Sequence, residues 1–361
     1  MYPLPSRTAL LAALLVLVAQ IPTSADETPT VRGRIGLEHS SNPERRTPSA
    51  DGGWALRSYV SSRATLLRRD RTYARVQYQS GVRRRFTQNA QGGGRPGVTV
   101  LNDVEFDLYR GLSDALTLTL SGRIKSKSVT RMPWENGYLQ ESGRGVLKAR
   151  APLGIVGELL YARTAEAPED SARVGFSVSE IQIKISRYFT RRLRSYLQFS
   201  HKSLGFDRRA EVLISDPPQT RLEATDRDRE DRLRQFDLGL QLYRGGMLSL
   251  SYAYQSNRSN SYGYAFRAHR IVLLSTSTVP FDAVLQTYGI FQIREYTEAL
   301  PGLAPEYEEE YEHTLLTAKL SRMIVEPYEL EVEYSLRRSG LLDASSRYTE
   351  HVSGLALNLV F

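Results

Sequence analysis

From Val31 onward the sequence repeats one unit: roughly ten residues of alternating apolar and polar positions, then a connection that is long and short in turn. Period-two alternation marks a strand with one apolar and one polar face. Sixteen such segments are present, the first eight at 31–40, 54–68, 72–83, 99–110, 115–128, 138–150, 155–164 and 173–188. The second eight span 193–203, 232–244, 247–256, 264–277, 283–296, 311–324, 328–338 and 347–361. Alternation is imperfect near 139–150 and 173–188, so fourteen or eighteen strands fit the same pattern.

The short connections are Arg69–Arg71, Gly111–Asp114, Ala151–Gly154, Phe189–Arg192, Gly245–Gly246, Thr278–Asp282 and Val325–Pro327, all with turn-forming residues. The connections 41–53, 84–98, 129–137, 204–231 and 297–310 are longer and more polar. This order predicts an all-β fold, a closed antiparallel transmembrane β-barrel of about 16 strands with turns at one end and loops at the other. A β-sandwich or propeller has no reason to alternate loop length so regularly.

Alternation also assigns faces. Val104, Phe106 and Leu108 oppose Asp103, Glu105 and Asp107, and Leu330, Val332, Tyr334 and Leu336 oppose Glu329, Glu331, Glu333 and Arg337. A midplane Arg or Lys facing lipid costs about 2–4 kcal/mol, so the charged faces belong inside and the apolar faces in the hydrocarbon. Aromatics near segment ends, Trp54, Tyr73, Tyr109, Tyr188, Tyr243, Tyr328 and Phe361, are expected to form interfacial girdles.

Composition adds the compartment. Arg7, the apolar run Ala9–Val18 and the small residues Thr23 and Ala25 read as a secretory signal over 1–25, leaving one barrel domain over 26–361. That run is too short to span a bilayer, and no later one approaches the roughly 20 residues a transmembrane helix needs. With no cysteine, the chain has no disulfides, thiolate catalysis or Cys-ligated metal. The net charge of +8 is mild, and nothing resembles a nucleic-acid-binding patch.

Sixteen strands enclose a water-filled lumen. Its expected wall carries Arg57, Arg75, Arg123, Lys125, Arg144, Lys148 and Arg194. Asp103, Glu105 and Asp107 on the fourth segment and Glu331 and Glu333 on the fifteenth are expected to face these bases across the pore. Such segregation sets up a transverse field, and the excess of bases favours anions.

The ending Ser353-Gly-Leu-Ala-Leu-Asn-Leu-Val-Phe361 resembles the last strand of bacterial outer-membrane β-barrels. Gly36-Leu-Glu-His-Ser-Ser-Asn-Pro43 resembles the first strand of porin-like barrels and of barrels that export exopolysaccharide. The resemblance implies the outer membrane of a Gram-negative bacterium, contact with its lipid and lipopolysaccharide, and reading of Phe361 by the barrel-assembly machinery. It implies a channel for passive diffusion of hydrophilic solutes, to which the lumen charges add a weak anion preference, and no cofactor or enzymatic activity is expected. It leaves open a conduit working with a periplasmic or homo-oligomeric partner, for polysaccharide export or as a sheath around an electron carrier. In general porins the third extracellular loop constricts the pore. Here the corresponding loop, 129–137, is short, and Leu204–Asp231 is the candidate constriction. Glu306-Tyr-Glu-Glu-Glu310 is a candidate for attracting divalent cations.

His39, Ser41 and Asn42 also form His-x-Ser-Asn, which is similar to the active-site signature of outer-membrane phospholipase A and the lipid A deacylases. In that reading His39 is the general base and Ser41 the nucleophile. Those families take the group that orients the imidazole from the adjacent strand, which here offers Trp54, Leu56 and Ser58 on that face and leaves only the loop residue Asp51, and those families have fewer strands. The other histidines have no metal-ligand spacing.

Overall fold

The computed structural model describes residues 29–41, 52–87, 97–130, 137–169, 174–216, 219–297, 313–339 and 349–360. The leader at 1–25, Asn42, Asp51, the acidic segment 306–310 and Phe361 lie outside the described residues. Sixteen strands form one sheet. They are β1 (Thr30–Ser40), β2 (Gly53–Arg69), β3 (Thr72–Thr87), β4 (Gly97–Gly111), β5 (Leu116–Thr130), β6 (Tyr138–Ala151), β7 (Ile155–Pro168) and β8 (Phe176–Tyr188). Then follow β9 (Leu193–Asp216), β10 (Gln219–Tyr243), β11 (Gly246–Ser259), β12 (Phe266–Val279), β13 (Ala283–Tyr296), β14 (His313–Val325), β15 (Tyr328–Ser339) and β16 (Thr349–Val360).

Each strand pairs with its neighbours in sequence, and β1 closes the sheet against β16 from Arg32 opposite Val360 to Ser40 opposite Val352. The pattern that predicted sixteen strands therefore corresponds to a closed antiparallel barrel without a free edge. All seven short turns lie at one rim, and positive φ angles at Asp70 (46°) and Gly245 (65°) let the chain reverse in two or three residues there. The longer connections lie at the other rim, toward which β1 ascends.

The two faces separate cleanly. Leu238 is 55 % exposed and Ile183 51 %, and similarly exposed apolar side chains cover the outside of nearly every strand. Such a surface far exceeds the few hundred Å² that a water-soluble monomer leaves uncovered, and it suits a hydrocarbon. On the opposite face side chains converge, so ion pairs reach over an intervening strand: Arg34 on β1 to Glu331 on β15, and Arg83 on β3 to Glu38 on β1.

One expected loop is not a loop. Most of Leu204–Asp231 continues β9 and β10 as a hairpin, with Leu213 opposite Leu222 and Gln219 opposite Asp216. The flanking strands end lower, β8 at the level of Phe206 and β11 at that of Asp231. Glu211 still bonds the β11–β12 connection, donating its amide to Ser261 Oγ at 3.0 Å and accepting from the Tyr262 amide at 2.8 Å, so about five residues of each strand continue past these contacts, roughly 15 Å at strand rise. A hairpin standing in water needs no apolar face, so its sequence loses the alternation that marks the barrel below. A register shift between Ala224 and Asp228 marks a bulge at its base.

Candidate functional site

The lumen wall is built by inward positions on every strand, and its charges pair laterally. Asp107 on β4 accepts from Arg75 Nε on β3 at 3.1 Å and from Ser121 Oγ on β5 at 2.7 Å. Asp103 accepts from Arg123 Nε at 2.8 Å. Glu38, only 4 % exposed, is clamped between Arg57 and Arg83. Glu331, 2 % exposed, meets Arg34 at 2.5 Å and Lys319 at 2.8 Å, and Arg34 also lies 3.7 Å from Glu333. Lys148 and Arg194 flank Glu158 at 3.5 and 3.9 Å. Lys125 stands over the Tyr138 ring at 5.3 Å. Glu105 lies between Asp103 and Asp107 in the inward series, and Arg144 sits opposite Ser121.

All twelve residues expected in the lumen thus carry inward positions, but their layout differs from the expected one. The acidic strand β4 lies between β3 and β5, and only β16 separates β15 from β1. Acids interleave with bases in one sector and neutralise them locally, so β4 and β15 do not oppose the basic strands across the pore. Sequence reasoning missed Glu38, Arg83 and Lys319 as members of this network. The alternation of Ile35 and Leu37 outward already placed Glu38 inward.

Where β14–β16 meet β1–β4, the wall forms an open pocket of about 490 Å³. Arg32, Arg34, Arg57 and Lys319 line it against Glu329 and Glu331. Asn358 donates to Glu329 at 3.1 Å and to Glu331 at 3.4 Å, completing a polar surface one strand wide at the closing seam. At the long-loop mouth a second inward cluster is packed tightly. Arg229 donates to Asp231 at 2.8 Å, both nearly fully buried, and its guanidinium lies 3.3 Å from the Tyr264 ring centre and 4.3 Å from that of Phe206.

The expected aromatic girdle is corrected in part. Trp54 and Tyr328 face outward. Tyr109 shares the inward series of Asp107 and sits opposite Tyr73, whose hydroxyl lies 3.4 Å from Thr65 Oγ1. Tyr188 lies under the inward Arg194, and the Tyr243 hydroxyl donates to the inward Gln241 at 3.3 Å. These four tyrosines ring the lumen at the short-turn rim. Proximity to a strand end places an aromatic at the right height, but only parity sets its face.

The hydrolase motif is divided. The His39 ring packs on Trp54 with centroids 4.8 Å apart. Ser41 Oγ instead accepts from the His351 amide at 2.9 Å, and the Ser41 amide donates to the His351 carbonyl at 2.9 Å. Ser41 is thereby a backbone tie across the β1–β16 seam. Among the described residues no hydrogen bond joins His39 to Ser41, and no group of three His, Asp or Glu is placed to hold a metal ion.

No family model and no curated protein matches the chain. Among solved structures, a variant of the Rh. blastica porin is similar with a TM-score of 0.38 and 10 % identity, over 92 % of this chain and 99 % of that one. The siderophore receptor PirA from Pseudomonas aeruginosa has a TM-score of 0.37 and 9 % identity, over 93 % of this chain and 81 % of its own. A deletion variant of the monoaromatic hydrocarbon channel TodX has a TM-score of 0.38 and 9 % identity, over 93 % and 91 %. The barrel assignment rests on the chain's own closed strand pairing.

Proposed function

We propose that this barrel is an outer-membrane channel through which hydrophilic solutes diffuse passively, with a modest preference for anions. The observation that carries the reading is the division of one closed sheet into an apolar outside and a charged, hydrogen-bonded inside. A soluble barrel would place these faces the other way round. The seam pocket itself is lined by four bases and two acids, and this excess supports the anion preference even though Glu38 and Glu333 pair with two of those bases from outside the lining. The test is the conductance of the purified protein in a planar bilayer, with the reversal potential under a salt gradient reporting the sign of the preferred ion. A reversal potential of the cation-selective sign would remove the anion preference.

A conduit that opens only with a partner is the second reading. The packed cluster of Phe206, Arg229, Asp231 and Tyr264 at the mouth favours it, because the cluster fills space beneath the projecting hairpin. Folded protein that stays closed alone and conducts after Arg229→Ala would support this reading over the free diffusion channel.

A further inference from the structure

We propose that outward-facing arginines on β10, β11 and β12 form a site for the phosphorylated headgroup of an outer-leaflet glycolipid. The inference rests on the membrane reading given above and goes beyond it to a specific lipid contact. On β10 the outward series runs from Leu242 through Leu240, Leu238 and Phe236, then changes to Arg234 and Arg232. β11 changes from Tyr252 and Tyr254 to Ser256 and Arg258, and β12 from Ile271 and His269 to Arg267. The three columns become basic at the same height.

Register makes the cluster compact. Ser256 lies directly opposite Arg234 on one side and Arg267 on the other, and Arg232 lies directly opposite Arg258. All four arginines are exposed, and together with Phe236 and Tyr254 they line an outward depression of about 330 Å³. Like charges directly opposite each other on adjacent strands repel. No ion pair among the described residues relieves them. Glu295 faces Arg267 across β12–β13, and Glu230 precedes Arg232 in the same outward series, but neither is joined to an arginine of the cluster. Four arginines against these two carboxylates leave the patch net positive at the edge of the apolar band, a charge that an anion from outside the chain can meet.

The row below indicates what carries that counter-charge. Phe199, Phe236 and Tyr254 are direct cross-strand neighbours, and Tyr254 lies 5.3 Å from the His269 ring. Aromatic faces at the hydrocarbon boundary with guanidinium groups one step outward match an amphiphile whose acyl chains lie on the rings and whose phosphates meet the arginines. A free phosphate would use only the upper half of this surface.

The test uses the full barrel, purified in nonionic detergent, with three probes: diphosphorylated lipid A, its dephosphorylated form and inorganic phosphate. Binding is read by native mass spectrometry and by thermal unfolding. Wild type is expected to bind and be stabilised by the phosphorylated glycolipid but not by the other two. The fourfold variant Arg232→Gln, Arg234→Gln, Arg258→Gln and Arg267→Gln is expected to bind it roughly tenfold more weakly or worse, the effect of losing a charge-assisted contact. Without lipid, the variant is expected to unfold at a higher temperature than wild type because the mutual repulsion is gone. If the fourfold variant does not fold, the pair Arg258→Gln and Arg267→Gln is expected to show the same loss in part. Equal glycolipid binding by folded wild type and variant overturns the proposal, as does free phosphate binding as well as the lipid. Insertion into vesicles of phospholipid alone separates the two readings. Failure to insert sinks the membrane reading and this site with it, whereas insertion with equal glycolipid binding sinks the site alone.

Discussion

Arg34 on the first strand meets Glu331 on the fifteenth at 2.5 Å, reaching over the last strand that lies between them. The contact exists because the sheet is closed and concave on that side, and it ties the seam where the two ends of the chain meet. Glu331 also holds Lys319, so removing its charge leaves two cations of the lumen wall less compensated. Glu331→Gln is expected to lower stability by about 1–3 kcal/mol, since a buried charge-assisted contact is lost. In a bilayer it is expected to shift the reversal potential further toward anions, and a shift toward cations would contradict the assignment of Glu331 to the conducting wall.

Gly239 accommodates Tyr196 across the β9–β10 pair, where a Cβ on residue 239 would stand 2.2 Å from the tyrosine ring. The same ring carries Lys184 at 4.2 Å. Gly239→Ala must therefore displace the ring and is expected to cost about 1–3 kcal/mol as overpacking. Adding Tyr196→Ala is expected to remove most of that cost, as urea unfolding in detergent would record. Strictly additive effects of the two changes would show that the ring and the glycine do not interact.

Ser41 ties the rim, and no acyl chemistry is expected of it. Ser41→Ala removes the acceptor of the His351 amide and is expected to cost about 0.5–1.5 kcal/mol. Hydrolysis of phospholipid or lipid A esters is expected to stay at background for wild type and variant alike. Wild-type ester hydrolysis that disappears in Ser41→Ala would reinstate the lipolytic reading.

Beyond the rim, the β9–β10 hairpin pairs with itself, so its upper part is expected to be dispensable for the barrel. Replacing residues 212–223 with Asn-Gly, a sequence that closes a two-residue hairpin, is expected to leave heat-modifiable gel mobility and conductance unchanged. Loss of the folded band would place the hairpin among the elements that hold the barrel together.

Much of this architecture was legible in the chain. Lipid on one side and water on the other force period-two alternation, and rows such as Leu238, Leu240 and Leu242 against Asp237 and Gln241 carry it without ambiguity. The misreadings have two physical origins. Outside the membrane that force is absent, so the projecting hairpin, with its run Asp226-Arg-Asp-Arg-Glu-Asp231, looks like a loop. Lateral order is the other: the chain reveals which residues face the lumen, but the acids on β4 and β15 became neighbours of the bases only once closure placed β15 near β1. The outward arginines were written in the same alternation as Phe236 and Leu238, two and four residues further along, where an apolar series turns basic.

We expect this chain alone to form a water-filled path through a membrane. The direct measurement is single-channel recording from purified protein whose barrel is confirmed by heat-modifiable mobility, added to a planar phospholipid bilayer. Stepwise insertion events with a stable open conductance are expected without any partner. Folded, inserted protein that gives no current above the bare bilayer would contradict this.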